Sequence, residues 1–328
     1  MKIRVLTRTD VKRAVGMVEA ISTVREAFVQ LSLGQAVVPQ RIPLALERGT
    51  ALFMPAFLPR SGSLGIKLVS VFAGNQDLKL PTIHALVVLI DSVTGIPKAV
   101  MDGMYLTALR TGAASGVATD LFSRAESQVA AVFGAGRQGR SQIQAVCAVR
   151  NIRSVQVYDT NATAARDFVR EMRNSGPPVP EEIRTAGGPG EALREADIVC
   201  TATTSLRPVF DDVDVSAGVH INAVGSYTPQ MQEIPSLTVA RSSVFVDSLS
   251  ACLEEAGDLI IPIRSGEISK AHIRGEIGEV ASGRKSGRRS PEEVTLFKSV
   301  GVAVQDAAVA DRALTLAENL GLGTEIEI

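Results

Sequence analysis

The 328-residue sequence is close to electrically neutral, with 34 Lys and Arg residues against 35 Asp and Glu residues, so it lacks the positive field that holds nucleic acid or an anionic membrane. Trp is absent and aromatic residues make up only 4%, which argues against a stacking surface for single-stranded nucleic acid. Apolar runs such as ALVVLI (85–90) are far shorter than the roughly 20 residues of a membrane span, and the N-terminus lacks a signal-peptide core. We therefore expect a cytoplasmic protein that binds neither nucleic acid nor membranes.

The first part of the chain predicts a mixed α+β domain. A helical pattern runs from about 10 to 33 and is followed by short runs typical of strands. These runs lie at 41–46, 50–57, 64–72, 84–91 and 96–101. The turn DSVTG (91–95) makes the last two a hairpin, so the sheet should be largely antiparallel. A helix over 105–122 leads out of this domain.

From residue 128 onward, short apolar runs alternate with helical stretches. Six runs lie at 128–133, 154–158, 182–186, 197–203, 219–224 and 243–247. They are almost continuously apolar, as strands buried on both faces of a parallel sheet are. The alternation predicts an α/β fold with a doubly wound parallel sheet over 119–299. The last helix (299–321) is expected to return to the first domain, which then comprises 1–118 with 300–328.

The stretch VFGAGRQGR (132–140) carries a G-x-G-x-x-G motif between a predicted strand and a predicted helix. In a Rossmann fold, Gly134 permits the tight turn, Gly136 leaves room for a pyrophosphate, and Gly139 lets the helix pack against the strand. Asp159 follows the second strand, where a carboxylate accepts hydrogen bonds from the adenine ribose. The motif predicts NAD in preference to NADP. Two alternatives remain: Asp159 caps the next helix, or an arginine (137 or 166) accommodates a 2′-phosphate.

Three cations in the first domain are candidates for holding a substrate. Arg41, Lys67 and Arg110 lie in apolar or small-residue surroundings, where a cation needs an anionic partner. A substrate carboxylate would provide one, and Arg would bind it through two hydrogen bonds. Each cation alone is better explained as a surface side chain, and only the three together make a substrate site an equal alternative. His84 lies in an apolar run and is either a core residue or a proton donor.

The cysteines and the other histidines predict no special chemistry. Cys147, Cys200 and Cys252 are odd in number and far apart, which fits neither a disulfide framework nor a zinc site. We expect them to be reduced thiols. His220 and His272 share no ligand spacing with carboxylates or cysteines, so no metal site is predicted.

These motifs together resemble the ornithine cyclodeaminase/mu-crystallin family along nearly the whole chain. The resemblance is carried by LGIKLVS, by the stretch from LPTIHALVV to RTGAASGVAT, and by VFGAGRQGR, TATTS, INAVGSYTPQMQEI, GDLIIPIRSGEI and GRRSPEEVTLFKSVGVAVQDAAVA. It implies a Rossmann domain between the two parts of a substrate domain, and a homodimer joined through the substrate-domain sheets.

The resemblance also implies roles for particular residues. Arg41, Lys67 and Arg110 match positions that hold the carboxylate of an amino acid, and Thr82 matches a residue that lines the same site. The positions that surround the cofactor in the family are matched by Gly136, Arg137, Gln138, Asp159 and Thr203. Ser226 is placed with them because it lies in the loop after the fifth predicted strand.

One position in that loop bears on the chemistry. Ornithine cyclodeaminases carry an Asp there, and the loop AVGSYTPQ places Tyr227 at that position, beside Ser226. The GSYTP form resembles the ketimine reductase and amino-acid dehydrogenase branch of the family. It implies NAD(P)H-dependent reduction of a cyclic 2-imino acid, Δ1-pyrroline-2-carboxylate or Δ1-piperideine-2-carboxylate, with Lys67, Arg110 and Tyr227 at the reacting centre.

Imine reduction makes modest demands on the protein, because a protonated ketimine is already electrophilic at carbon and needs mainly positioning. Three alternatives stay open. The first is ornithine cyclodeaminase, which recycles NAD, and the second is alanine dehydrogenase, which needs a proton shuttle from Tyr227, Lys67 or His84. The third is a binding protein without turnover, as in mu-crystallin.

Overall fold

The computed structural model of the chain describes residues 1–328, except for the side chain of Gln76. The chain forms two compact units, one made of Met1–Arg110 with Val302–Ile328 and the other of Thr111–Gly301. The division falls at residue 110, within the helix Gly103–Phe122, and not at residue 118 as the sequence suggested. A helix that continues through a boundary gives none of the linker signals from which a boundary is read.

The elements are numbered in chain order. The strands are β1 (Lys2–Leu6), β2 (Ile42–Leu46), β3 (Gly49–Leu58), β4 (Ser63–Val71), β5 (Ile83–Asp91), β6 (Pro97–Asp102), β7 (Val129–Phe133), β8 (Ser154–Tyr158), β9 (Glu182–Thr185), β10 (Ile198–Thr201), β11 (His220–Ala223), β12 (Ser243–Val246), β13 (Ile273–Glu276), β14 (Thr295–Lys298) and β15 (Thr324–Glu327). The helices are α1 (Arg8–Ala14), α2 (Met17–Ser32), α3 (Gly103–Phe122), α4 (Arg137–Val149), α5 (Ala162–Arg173), α6 (Pro189–Leu193), α7 (Ser236–Arg241), α8 (Leu249–Glu255), α9 (Gly257–Arg264), α10 (Ile277–Ala281) and α11 (Ala303–Asn319).

The first unit is built on a sheet of order β15-β1-β6-β5-β4-β3-β2. All neighbouring strands in it are antiparallel except β1 and β6, which are parallel. This confirms the mixed, largely antiparallel sheet. The single helix predicted over 10–33 is two helices, because Val15 is extended (φ −127°) and Gly16 is the N-cap of α2. Strands β1 and β15 were missed, since they are short and pair with residues distant in the chain.

Helix α11 covers one face of this sheet. Lys67 in β4 pairs with Met54 in β3 and Val87 in β5, and all three side chains are buried. Gly65, two residues earlier on the same face, lies against the helix, because a Cβ there would be in van der Waals contact with the Cβ of Ala307 at 3.7 Å. The last predicted helix therefore packs against the first unit, as the sequence suggested.

The second unit is built on a sheet of order β13-β12-β14-β11-β10-β7-β8-β9, in which every pairing is parallel. The six predicted strands are confirmed as β7 to β12. Strands β13 and β14 were not predicted from the sequence. Strand β14 is only four residues long, and it lies between β11 and β12 although it follows both in the chain, so neither length nor order signals it.

Burial on both faces explains the continuous apolar runs. In β10, Ile198 and Cys200 belong to one hydrophobic cluster, whereas Val199 belongs to the cluster on the other face. Successive side chains of a strand point to opposite faces, so helices on both sides of a sheet require every position to be apolar. None of the described helices combines the length and apolarity that crossing a membrane requires.

Candidate functional site

The glycine-rich turn joins β7 to α4 and is shaped by close backbone contacts. Gly134 has a positive φ of 99° and a Cβ there would lie 2.6 Å from the carbonyl oxygen of Ala202. A Cβ on Gly139 would lie 2.1 Å from the carbonyl oxygen of Gly134. Both positions therefore require glycine. Gly136 differs, because it is exposed and nothing lies within 4 Å of its would-be Cβ.

Gly136 is also the N-cap of α4, and no side chain caps this helix end. The first turn of α4 therefore keeps backbone N–H groups for a ligand, and the helix dipole adds partial positive charge. The open space at Gly136 is where a pyrophosphate approaches the backbone in folds of this type. The residues present thus fit a dinucleotide.

Asp159 directly follows β8 and is tied to the same turn. Its Oδ2 accepts a hydrogen bond from the Ala135 backbone N–H at 2.7 Å, and its Oδ1 accepts one from Asn161 N at 2.8 Å. Helix α5 is capped by Asn161, whose side chain accepts from the N–H groups of Thr163 and Ala164. The N-cap of α5 is therefore Asn161 and not Asp159.

A cleft of about 560 Å³ lies at the carboxyl ends of β7, β8 and β10. Its walls include Gly134, Gly136, Asp159 and Thr203. Ligands of parallel sheets bind at this edge. The cleft is the candidate cofactor site, and it lies entirely within the second unit.

Three further predicted cofactor residues differ in their surroundings. Arg137 is exposed at the start of α4, and Gln138 beside it is half-buried with no hydrogen-bond partner for Oε1 among the described residues. Ser226 is fully buried, and its hydroxyl donates to the Met231 carbonyl at 2.8 Å and accepts from Asp258 N at 3.3 Å. The Ser226 side chain therefore stabilises its own loop, and its contact with the cofactor stays a prediction. A dipeptide's position in a loop does not reveal which side chain turns inward.

Tyr227, in the same loop, has the opposite environment. It is exposed, so its ring is available to a ligand. Thr203 lies in the loop that follows β10. Its backbone N–H and hydroxyl both donate to Glu233 Oε1, at 2.6 and 2.8 Å. Sequence reasoning had missed Glu233, which is fully buried.

In the first unit, the structure brings Lys67 and Arg110 to a single carboxylate. Lys67 Nζ lies 2.8 Å from Asp306 Oδ2, and Arg110 Nε lies 3.0 Å from Asp306 Oδ1. Arg110 Nη1 also donates to Gln305 Oε1. Lys67 and Arg110 are only 2% and 5% exposed, so the cluster is shielded from water.

The charges of this cluster do not balance. Burial, together with repulsion by Arg110 and to a smaller extent by Arg41, lowers the pKa of Lys67 to about 8, although attraction by Asp306 opposes this shift. The effect of Arg41 places it near Lys67, just before β2. Two buried cations, Lys67 and Arg110, therefore share one carboxylate, and the excess positive charge favours binding of an anion.

Thr82 immediately precedes β5, and His84 lies near the start of that strand. Thr82 is half-buried and its carbonyl accepts a hydrogen bond from Phe72 N at 2.8 Å. His84 pairs with Ser70 and is exposed. Because Lys67 and Ser70 are three residues apart in one strand, their side chains point to opposite faces. The structure therefore does not bring His84 to Lys67.

Asp306 and Gln305 were also missed by sequence reasoning. They lie in AVQDAAVADRA, a helix of Ala and Val in which a buried carboxylate is costly unless it is paired. The energetic cost of burying an unpaired carboxylate was the feature of the sequence that could have indicated a paired Asp306. The partner could not be inferred, because Lys67 is 239 residues away in the chain.

The buried histidine and thiols have pKa values that are shifted far from their ordinary values by burial. Burial lowers the pKa of His220 to about 3, and its ring contacts Thr295 and Asn222. Burial raises the pKa of Cys147 and Cys200 to about 12, and that of Cys252 well above its usual value. All three cysteines are free thiols. Among the described residues, no group of three or more His, Cys, Asp or Glu side chains is arranged to hold a metal ion.

The fold and these sites define a class: an α/β protein with a dinucleotide-type glycine turn in one unit and a buried cationic cluster in the other. The chain belongs to the ornithine cyclodeaminase/mu-crystallin family, which it matches over residues 1–316. The resemblance seen in the sequence is thereby confirmed.

Three proteins that are similar to this chain over nearly its full length indicate the kind of chemistry found in the family. A Δ1-pyrroline-2-carboxylate reductase of Bacillus cereus (strain ZK / E33L) is 39% identical over 98% of this chain and 99% of its own. An alanine dehydrogenase of Archaeoglobus fulgidus is 36% identical over 100% of this chain and 99% of its own. The structure of Thermococcus litoralis Δ1-pyrroline-2-carboxylate reductase with NADH and L-proline has a TM-score of 0.94 and 41% identity, covering 99% of this chain and 100% of that one.

Proposed function

We propose that this protein is an NAD(P)H-dependent reductase that converts a cyclic 2-imino acid, Δ1-pyrroline-2-carboxylate or Δ1-piperideine-2-carboxylate, to L-proline or L-pipecolate. The observation that carries the proposal is the cluster in which Lys67 and Arg110 share the Asp306 carboxylate. The names of the B. cereus and T. litoralis relatives support it.

The cationic cluster is the proposed clamp for the substrate carboxylate. Arg110 offers a planar guanidinium, which binds a carboxylate through two parallel hydrogen bonds. The Lys67 ammonium is protonated at neutral pH, because its pKa is about 8. Arg41 and Thr82 complete the proposed site in this unit. Such a clamp fixes the acid end of a small molecule and thereby the position of its neighbouring C=N bond.

The proposed reaction then needs few further groups. When bound, the reduced cofactor supplies the hydride that forms the new C–H bond. The C=N π electrons become the nitrogen lone pair, so a protonated iminium gives a neutral amine without a further proton. Lys67 orients the carboxylate and keeps positive charge beside it, which favours the acid in its ionised form. Tyr227 is exposed in the loop after β11 and is proposed to contact the substrate.

NAD is the proposed cofactor, with NADP less favoured. Asp159 is held by Ala135 N and Asn161 N, so its carboxylate is fixed at the end of β8 where the adenine ribose binds in this fold. The 2′-phosphate of NADP would be repelled by the negative charge of the Asp159 carboxylate. Gly134, Gly136 and Gly139 form the phosphate turn, and Arg137, Gln138 and Thr203 are proposed to contact the cofactor.

The protein is further proposed to act in the cytoplasm as a homodimer joined through the open face of the first sheet. That face carries exposed apolar side chains, with Leu44 52% and Leu86 49% exposed. Leu86 borders a shallow groove of about 230 Å³ that also includes Phe53 and Leu68. Exposed apolar patches of this kind mark interfaces. Light scattering should give twice the chain mass, and Leu86→Asp should give monomers; a monomeric wild type would refute this part.

The test of the function is to follow oxidation of NADH and NADPH with three substrates. Δ1-Pyrroline-2-carboxylate and Δ1-piperideine-2-carboxylate should be reduced fast, and NADH should be preferred. Pyruvate with ammonia should react slowly. No oxidation with either cyclic imine would refute the proposal and would favour a cofactor-bound binding protein.

Alanine dehydrogenase is the second candidate, favoured by the 36% identity to the A. fulgidus enzyme. The same cationic cluster would hold the carboxylate of pyruvate. A rate with pyruvate and ammonia above that with the cyclic imines would establish it. Formation of proline and ammonia from ornithine with NAD would instead establish a cyclodeaminase, in which Tyr227 would stand in place of the expected Asp.

A further inference from the structure

Glu233 joins the carboxyl ends of two adjacent strands in the second unit. Strands β10 and β11 pair in parallel, with Thr201 opposite Ala223. The Glu233 side chain lies beyond their ends and is fully buried. Its Oε1 accepts from Thr203 N and Thr203 Oγ1, at 2.6 and 2.8 Å. Its Oε2 accepts from Thr201 Oγ1 and Gly225 N, at 2.8 and 2.7 Å.

All four groups that face this carboxylate donate hydrogen bonds to it, two to each oxygen. Two of these groups, the N–H groups of Thr203 and Gly225, can only donate, and they bind different oxygens of the carboxyl group. An amide would turn its NH₂ group toward one pair of donors, and the backbone N–H in either pair cannot reverse its role. A glutamine at this position would therefore leave a buried N–H group without an acceptor.

The contacts around Glu233 leave no spare room. A Cβ on Gly225 would lie 2.3 Å from Glu233 Oε1 and 2.4 Å from the Thr203 carbonyl oxygen. Gly225 precedes Ser226 and Tyr227, and Thr203 lines the cofactor cleft. The carboxylate thus fixes the start of both loops that leave this edge of the sheet.

A second buried carboxylate supports Glu233 from behind. Asp258 Oδ1 accepts from the backbone N–H groups of Glu233 and Ile234, at 2.7 and 3.0 Å. Asp258 Oδ2 lies 2.9 Å from Lys298 Nζ, and both of these side chains are fully buried. Burial and repulsion by Asp258 raise the pKa of Glu233, and attraction by Lys298 opposes this rise. The arrangement holds Glu233 in place without exposing it to a ligand.

We propose that Glu233 is a positioning residue that sets the cofactor cleft by holding Thr203 and Gly225 at fixed places. This inference rests on the proposed function only in taking the cleft as the dinucleotide site. Every acceptor position of Glu233 is used within the protein, so it acts through its neighbours. The cleft is then already shaped before the cofactor arrives, which lowers the entropic cost of binding.

The test measures NADH binding by fluorescence, at a temperature well below the melting temperature of each variant. Glu233→Gln should weaken NADH binding about tenfold, because the variant loses one of the hydrogen bonds that hold the two loops in place. Gly225→Ala should act in the same direction, because it displaces the carboxylate. Should Glu233→Gln not fold, Glu233→Asp, which keeps the charge but shortens the reach, is expected to show the same weakening.

Asp197→Asn is the matched control. Asp197 precedes β10 and accepts from Gln128 N and Val129 N at 2.7 and 3.0 Å, so it ties β7 to β10 at the opposite end of the strand. This variant should lower the melting temperature yet bind NADH within twofold of the wild type. The proposal is overturned by wild-type NADH affinity in the folded Glu233 variants, or by equal weakening in Asp197→Asn. A wild type that binds NADH but reduces no imine refutes the proposed function alone.

Discussion

Binding of a carboxylate ligand should make the protein take up protons near pH 8. The ligand is pyrrole-2-carboxylate, a planar five-membered ring with one acid group, added to protein saturated with NAD. Burial and repulsion by Arg110 hold the pKa of Lys67 at about 8. An anion beside the Lys67 ammonium favours its charged form and raises this pKa.

The size of the effect follows from the pKa. The difference between the ordinary 10.5 and about 8 corresponds to about 3 kcal/mol against the charged form in the folded protein. Because this pKa is lowered, the folded protein binds fewer protons than the unfolded chain between pH 8 and 10.5, and stability rises with pH in that window. At pH 8, Lys67 is half-protonated in the free protein, so a raised pKa means an uptake of about half a proton per site.

The assay is titration calorimetry in buffers that differ in ionisation enthalpy, at pH 6.5 and pH 8. Uptake should be close to zero at pH 6.5, where Lys67 is already protonated. Lys67→Arg is the control, because a guanidinium stays charged at both pH values and its uptake should vanish. The reasoning is refuted if the wild type takes up no proton at pH 8, or if Lys67→Arg takes up as much.

Three further outcomes are expected. Asp306→Asn removes the attraction that raises the pKa of Lys67, so the alkaline limb of the kcat/KM profile should move to lower pH by about one unit or more; an unchanged profile would exclude Lys67 from substrate binding. Asp159→Asn keeps a hydrogen-bond acceptor but removes the charge, so the ratio of the NADPH and NADH Kd values should fall about tenfold, and a constant ratio would contradict the assigned role. The buried thiols, among them Cys147 and Cys200 with a pKa of about 12, should not react with a thiol reagent in the native state at pH 8; rapid labelling would show that the core opens.

The sequence predicts what is local. The glycine turn, the following helix and Asp159 lie within 30 residues of one another, and their spacing alone indicates their arrangement. The parallel strands are recognisable because burial on both faces makes them continuously apolar. Strand β14 escapes detection because its four residues pair with strands from other parts of the chain.

The parts that could not be predicted depend on contacts between distant residues. Lys67 and Asp306 meet only because α11 packs on β4, and Glu233 reaches Thr203 only through the return of its loop to the sheet edge. His84 was a candidate because it is a lone histidine in an apolar run, but the register of β4 and β5 places its side chain on the face opposite that of Lys67. A single sequence does not disclose that register.

The central claim is that the basic residues of the first unit hold the acid group of the substrate. It is tested most directly by the initial rate of NADH oxidation against the concentration of Δ1-pyrroline-2-carboxylate, for wild type and Arg110→Ala. Loss of the guanidinium should raise KM about 100-fold, the scale of a lost buried charge pair, while kcat changes far less. An Arg110→Ala enzyme with the wild-type KM would contradict the account.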